Sequence, residues 1–218
     1  SDPWSDLIQQ CVDYVFKRKI DQRTIDVKVR DAFRGIFDHY HEKLFVAYSN
    51  FPRLVRFLKK RIRFVGDDRL KEALATGKGV ILVTGHFGAV EFLPGTLAVN
   101  GYPASMICRF QTNRLRASLR QRAHWVNLNL IDADEGNIFL AATKALKTGQ
   151  ILITECDEFD EWRPDQSQTL DFLHNRLPGD RTLEILRKRS GAPVITALIK
   201  REGRKKYTLN LTPVANDD

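Results

Sequence analysis

The stretch GKGVILVTGHFGAVEFLPG contains a histidine and a glutamate whose spacing could support chemistry. They are His86 and Glu91, and they follow the apolar run VILVT. The imidazole of histidine is suited to proton transfer near neutral pH. A carboxylate in the first turn of a following helix is favoured by the helix dipole, and it can hold the imidazole in one tautomer and stabilise the imidazolium. His86 is therefore a candidate general base for a hydroxyl or amine nucleophile, supported by Glu91. The alternative is a structural pair in the turn between a strand and a helix.

Other kinds of site lack their usual sequence patterns. The chain has no G-x-S-x-G turn for a serine or cysteine nucleophile, and no phosphate-binding loop of the Walker or G-x-G-x-x-G type. No second histidine or cysteine stands at metal-ligand spacing from His86, so no metal site is predicted. The three cysteines, Cys11, Cys108 and Cys156, are widely spaced and odd in number, which favours buried thiols in a reducing cytosol over a disulfide framework.

The segments around His86 alternate between strands and helices, which predicts an α/β fold. Short apolar runs such as VILVT and ILIT are typical of parallel strands that are covered on both faces. We expect a central, mostly parallel sheet flanked by helices, with His86 at the carboxyl end of a strand, where such sheets bind ligands. The predicted strands are IRFVG, VILVTG, PASMICR, LNLIDA, QILITECD, APVITALIKR and KYTLNLTPV.

The first part of the chain is predicted to be a helical segment in front of this sheet. Apolar residues recur at helical spacing after a possible N-cap at Ser5 and again from residue 24 to residue 49. The stretch NFPRLVRFLKKRIRF adds a basic amphipathic piece, which could lie on a membrane surface or pack on the domain with its charges in water. We therefore divide the chain into an N-terminal helical segment, residues 1–60, and an α/β domain, residues 61–218, which together form one compact unit.

The ends of the sequence show no membrane-directing pattern. No run of about 18 apolar residues could span a bilayer, and no charged stretch followed by an apolar one indicates a signal peptide. Because the sequence starts at Ser1 rather than at Met, we expect a piece of a longer protein, truncated at one or both ends, in which a membrane anchor could precede Ser1.

The net charge of +8 is concentrated in clusters. Six basic residues and no acid lie between Arg53 and Arg63, and five arginines and no acid lie between Arg109 and Arg122. Such clusters suit an anionic partner, which could be nucleic acid, anionic lipid or an acidic carrier protein, although each could also be a solvated helix face.

The order of motifs along most of the chain resembles the glycerolipid acyltransferase superfamily, whose signature is a histidine followed after four residues by an acid. The chain is most similar to one branch, the bacterial lipid A late acyltransferases, which transfer lauroyl and myristoyl groups. The segments that carry the resemblance are GHFGAVEF, CRFQTN with Arg109 and Asn113, LRQR with Arg120 and Arg122, ILITECD with Asp157, LPGDRT with Gly179 and Thr182, and GAPV. The helical lead-in before residue 50 is also similar.

The resemblance implies a reaction and a role for each matched residue. A fatty acyl group would move from a thioester of acyl carrier protein or coenzyme A, as donor substrate without a further cofactor, to a hydroxyl or amine. His86 would deprotonate the acceptor, and Glu91 would orient and stabilise His86. Arg109, Arg120 or Arg122 would stabilise the acyl oxygen or bind a phosphate. The remaining matched residues, expected at the substrate, are Asn113, Asp157, Gly179 and Thr182.

The implied partners are acyl carrier protein or coenzyme A, a lipid or lipid-like acceptor and an anionic membrane, and nucleic acid is not expected. The resemblance places the protein in the cytoplasm, peripheral to the inner face of the bacterial inner membrane. Two alternatives stay open on the residues alone: a basic α/β module that binds nucleic acid, and an inactive lipid-binding relative. The sequence departs from the family pattern at Phe110, where the family has proline, at Asp157-Glu158, where it has Asp-Gln, and in the acidic segment EFDEWRPDQSQTLDFLHN, which we expect to bear on the acceptor.

Overall fold

The computed structural model describes residues 3–16, 21–157, 164–203 and 205–215. In these residues seven strands form one sheet in the order β1-β9-β8-β2-β5-β3-β4. All neighbouring strands are parallel except β8 and β9. The strands of this sheet are β1 Ile62–Val65, β2 Val80–Thr84, β3 Ala104–Cys108, β4 Leu128–Asp132, β5 Ile151–Glu155, β8 Val194–Gly203 and β9 Lys206–Pro213. The predicted α/β fold with a mostly parallel central sheet is confirmed.

Helices cover both faces of the sheet and form the N-terminal segment. They are α1 Pro3–Phe16, α2 Gln22–Tyr48, α3 Phe51–Arg61, α4 Asp67–Ala75, α5 Leu93–Val99, α6 Asn113–Trp125, α7 Ile138–Lys147 and α8 Thr182–Ser190. A 3-10 turn, Val90–Phe92, precedes α5. Side-chain caps explain several starts: Asp21, Asn50 and Thr112 each accept a hydrogen bond from a main-chain N–H three residues later. The helix α1 begins at Pro3, so Ser5, predicted as its N-cap, lies inside it.

The two faces of the sheet have separate apolar cores. On one face, α3 and α5 pack over the sheet and bury Leu58, Phe92 and Leu97. On the other face, α7 and α8 bury Leu146 and Leu186. The central strand β2 contributes to both cores, which explains why VILVT is apolar without alternation.

The N-terminal helices are tied to the sheet by apolar and ionic contacts. Leu54 and Leu58 of α3 belong to the same core as the sheet residues, while the cations of α3 face water. Of the two options for this basic piece, packing on the domain is the one observed. Further along the sheet, the buried carboxylate of Glu42 on α2 accepts hydrogen bonds from Nε and Nη2 of Arg201 on β8, at 2.9 and 2.7 Å. The division at residue 60 stays a prediction.

A two-stranded hairpin, β6 Pro164–Phe172 and β7 Asn175–Asp180, was not predicted from the sequence. It forms much of the segment EFDEWRPDQSQTLDFLHN, of which residues 158–163 lie outside the described residues. Its tip contacts α1, since the hydroxyl of Tyr14 donates to Oδ1 of Asn175 at 2.9 Å and Nε2 of His174 lies 3.3 Å from the carbonyl oxygen of Val15. The alternation of Leu170 and Phe172 with polar residues in β6 is too short to give a strand signal from periodicity.

Candidate active site

His86 lies at the carboxyl end of β2, as predicted, beside the end of the parallel strand β5. The register pairs Thr84 with Glu155, and the main-chain N–H of Cys156 continues the ladder to the carbonyl oxygen of Thr84 at 3.0 Å. Because neighbouring parallel strands end at the same edge, Glu155 and Asp157 come to lie next to His86 although they are about 70 positions away in the sequence.

Asp157 holds His86 at two points. Its Oδ2 accepts the main-chain N–H of His86 at 2.6 Å, and its Oδ1 lies 3.1 Å from Nδ1 of the ring. The carboxylate favours a proton on Nδ1, which leaves the basic lone pair on Nε2. That nitrogen lies 3.9 Å from Oε2 of Glu155, and the His86 side chain is 43% exposed. The ring is thus fixed in position and tautomer while it stays accessible to a substrate.

Two glycines shape the loop that carries His86. A Cβ on Gly85 would come within 2.9 Å of Oδ2 of Asp157. Gly88 has a left-handed φ of +60°, and a Cβ there would lie 1.9 Å from the carbonyl oxygen of Ile199 on β8. That oxygen accepts the N–H of Ala89 at 2.9 Å, so the loop crosses directly over β8. Only glycine fits at Gly88, because both the conformation and the space exclude a side chain.

Glu91 lies near His86, but its carboxylate approaches two side chains of α2. Its Oε1 is 3.5 Å from Nε2 of His39 and 3.7 Å from Nζ of Lys43. The 3-10 turn buries Val90 and Phe92 on either side, and this directs Glu91 toward α2. The sequence assigned the orienting contact with the imidazole to Glu91; in the structure that contact belongs to Asp157. Burial raises the pKa of Glu91, while the charges of Lys43 and His86 lower it. Glu91 and His86 are therefore close enough to interact electrostatically.

His39 and Lys43 were missed by the sequence analysis. The His39 ring lies 6.2 Å, centroid to centroid, from the His86 ring. Burial lowers the pKa of His39, and the charges of Lys43 and His86 act in the same direction. The spacing of His39, Glu42 and Lys43 puts them on one face of α2, and this grouping was the available signal.

A cavity of about 600 Å³ extends from this site into the protein. Its walls are mainly apolar, with Leu58, Val99 and Leu128 among them, and His86 and Glu91 also line it. Two cysteines, Cys108 and Cys156, lie in its walls. Burial raises the pKa of Cys156 to about 11 and that of Cys108 to about 12, so neither supplies a thiolate nucleophile near neutral pH.

The three predicted arginines occupy different positions. Arg109 lines the cavity, and its Nε lies 3.1 Å from Oδ1 of Asp134. Arg122 also lines the cavity, and its Nη2 donates to the carbonyl oxygen of Ser49 at 2.6 Å, which fastens α6 to the end of α2. Arg120 instead donates to the buried Asp132 and to Glu135, at 3.2 and 2.7 Å.

Phe110 is buried beneath two arginines of α6. The guanidinium carbons of Arg116 and Arg120 lie 5.6 and 5.8 Å from the centre of its ring. Both arginines also pair with Asp132 and Glu135. Aromatic support and carboxylates thus hold these cations in place beside the strand ends.

The other predicted substrate residues are dispersed. Asn113 is exposed at the start of α6, where the cap is Thr112. Gly179 lies in β7 opposite Asp165. Thr182 begins α8 and lines the cavity, and its hydroxyl and main-chain N–H both donate to Oδ1 of Asp180, at 3.0 and 3.1 Å.

The residues that the structure describes contain no group of three or more His, Cys, Asp and Glu residues arranged to hold a metal ion. Over the same ranges, no helix combines the length and the apolar character that crossing a membrane requires.

Comparison with known proteins adds to this geometry. A search of curated proteins finds no match to the chain. A family model described as bacterial lipid A biosynthesis acyltransferase matches residues 51–218. These residues include α3, the whole seven-stranded sheet and the site around His86, apart from His39 and Lys43 of α2. Because the match covers well over half of the sequence, the chain belongs to the bacterial lipid A biosynthesis acyltransferase family and is an acyltransferase.

Proposed function

We propose that this acyltransferase moves a fatty acyl group from a thioester to a hydroxyl or amine of a lipid or lipid-like acceptor, with His86 as the general base. The observation that carries the proposal is the position of His86, which is held by Asp157 and lines a mainly apolar cavity of about 600 Å³. A base and an apolar chamber in one place are what acyl transfer from a lipid-like donor requires.

The proposed reaction starts with Nε2 of His86, which accepts the proton of the acceptor hydroxyl or amine. The acceptor oxygen or nitrogen bonds to the thioester carbonyl carbon, and the C–S bond then breaks as the tetrahedral intermediate collapses. The imidazolium gives its proton to the leaving thiolate, so the donor departs as a thiol. Asp157 stabilises the imidazolium between the two proton transfers, and Glu155 and Glu91 add further negative charge nearby.

The cavity is the proposed chamber for the acyl chain. Burial of each methylene in an apolar environment contributes about 0.8 kcal/mol, so the chain itself would provide much of the affinity for the donor. Arg109 and Arg122 lie in the wall and are our candidates for binding the acyl oxygen or a donor phosphate. Thr182 also lines the cavity and stays a proposed substrate contact, while Asn113, Arg120 and Gly179 are proposed on the resemblance alone.

The surface around the site suits an anionic carrier and an anionic membrane. The cations of α3 are exposed, and the chain as a whole carries a net charge of +8. One side of α2 exposes large apolar side chains, and Phe87, next to His86, is 52% exposed. We propose that this side of α2 meets the membrane at the inner face of the inner membrane, while the cations bind lipid phosphates or acyl carrier protein. The large apolar residues exposed on this side of α2 are Ile36, Phe37, Tyr40, Leu44 and Tyr48.

The test is thioester consumption by the purified protein, measured with acyl carrier protein and with coenzyme A as donor and with a lipid A precursor or a phospholipid as acceptor. We expect His86→Ala to lose about 10²–10⁴ of the rate, because proton transfer from the acceptor is lost. His124→Ala, which changes an exposed histidine on α6, is the matched control and should keep the wild-type rate. A His86→Ala protein that turns over normally contradicts the proposal, and mass spectrometry of the product identifies the acceptor.

A further inference from the structure

The helix α2 places two side chains against Glu91 from outside the family-matched part of the chain. Lys43 and His39 approach the same oxygen of Glu91, at 3.7 and 3.5 Å. All three belong to the surroundings of His86, since the His39 ring packs edge-on near the His86 ring and Lys43 lines the same cavity.

Burial makes the charge of Glu91 costly without a cation. Its side chain is only 23% exposed, and its two neighbours in the 3-10 turn, Val90 and Phe92, are buried. A desolvated carboxylate takes up a proton more readily, and an opposite charge within about 4–6 Å offsets this by roughly one to three pKa units. Lys43 is such a charge, and with 31% exposure it is itself partly desolvated.

The other charged groups nearby do not replace Lys43. Glu42, one residue before Lys43, is neutralised by Arg201 of β8. On the far side of His86, the carboxylates of Glu155 and Asp157 at the end of β5 add negative charge. His39 has a lowered pKa and is therefore mainly neutral at neutral pH. Among these groups Lys43 is the permanent cation within 4 Å of Glu91.

We propose that Lys43 is a positioning residue of this active site, which keeps Glu91 ionised beside His86, so that α2 completes a site otherwise built by the family-matched residues. This inference rests on the proposed role of His86 as the base. Its chemical consequence is that Glu91 is negative when the imidazolium forms. Without Lys43 the partly buried carboxylate would take up a proton at a higher pH and, once neutral, would no longer stabilise that cation.

The direct test is a titration of Glu91 in the full chain, followed by carbon-13 NMR of labelled glutamate, with the signal assigned through a Glu91→Gln spectrum. Lys43→Met should raise the pKa of Glu91 by about one unit or more, and Lys43→Arg should restore it. Lys28→Met, on an exposed part of the same helix, is the matched control and should leave it unchanged. An unaltered Glu91 titration in Lys43→Met overturns the proposal, whether or not a substrate is known.

The second test is the pH dependence of kcat/KM for thioester consumption. In Lys43→Met the acid limb should move to higher pH and steepen, because Glu91 as well as His86 must now lose a proton, and Lys43→Arg should recover the wild-type limb. A uniform loss of rate with an unchanged limb shows a merely structural role and contradicts the proposal. If the wild-type protein shows no thioester consumption that depends on His86, the proposed function fails, and the NMR titration still decides whether Lys43 holds the charge of Glu91.

Discussion

Asp157 binds both the main-chain N–H and the ring of His86, through its two carboxylate oxygens. Asp157→Asn keeps the shape but puts a donor where an acceptor is needed, so His86 loses its preferred tautomer and the stabilisation of its charged form. We expect kcat to fall by roughly 10²–10⁴ with little change in KM. Steady-state kinetics measures this, and Asp68→Asn, at an exposed acid of α4, serves as control. Equal losses in both variants would contradict the special role of Asp157.

Gly88→Ala should disturb both the fold and the site. A methyl group there meets the carbonyl oxygen of Ile199 at 1.9 Å, and this is main chain that cannot swing away. Because the backbone also has a left-handed φ, we expect a loss of at least 1–3 kcal/mol in the free energy of unfolding. Gly77→Ala is the control, since φ there is similar, at +73°, with nothing within 4 Å of the added Cβ. Urea denaturation compares them, and similar losses would show that the conformation alone matters.

Removing one partner of the buried ion pair between Glu42 and Arg201 should lower the free energy of unfolding more than removing both. Glu42→Ala leaves the guanidinium of Arg201 without its two hydrogen bonds, which we expect to cost about 3–5 kcal/mol in the free energy of unfolding. The double variant Glu42→Met with Arg201→Met should recover a large part of this. Lys71→Ala breaks the exposed pair with Asp67 on α4 and should cost about 1 kcal/mol or less. If the double variant is no more stable than the single one, the pair does not behave as a buried ion pair.

A larger side chain in the cavity should shorten the preferred acyl chain. Val99 at the end of α5 lines the cavity, so Val99→Phe removes space that an acyl chain would otherwise occupy. Competition between thioesters of different chain length should then favour the shorter donor more strongly than in the wild type. Val65→Phe, at an exposed position on the edge strand β1, should leave the preference unchanged. An unaltered preference in Val99→Phe would place the chain elsewhere.

The thiols should differ in their reaction with an alkylating reagent. Raised pKa values of about 12 for Cys108 and about 11 for Cys156 mean that the thiolate fraction of each at pH 8 is far below that of an ordinary cysteine. Cys11 is exposed and should be modified first, with the other two reacting only as the pH rises toward their pKa values. Mass spectrometry of iodoacetamide-treated protein gives the order. Rapid modification of Cys156 at pH 8 would contradict the raised pKa.

The sheet could be predicted because its strands carry their own signal, as VILVT does in β2. The contact between His86 and Asp157 could not be predicted. These residues are 71 positions apart, and they meet only because β5, rather than β3, lies next to β2. Local periodicity does not contain strand order. His39 and Lys43 were not predicted either, because they reach Glu91 only through the packing of α2 on the 3-10 turn, which local sequence does not show. The hairpin β6–β7 was not predicted because its apolar alternation, Leu170 and Phe172, is too short to indicate a strand.

The order of strands in the sheet has a consequence for biosynthesis. The edge strand β1 pairs with β9, so Arg63 faces Thr208 across 145 positions of sequence. Until the ribosome has released the segment that forms β9, β1 lacks this partner and the apolar side of the nascent sheet beneath α3 stays incomplete. Such late closure makes folding slow and leaves a chain exposed to aggregation while it is being translated. A nascent chain that stalls before residue 206 would therefore be a natural client for a chaperone at the ribosome exit.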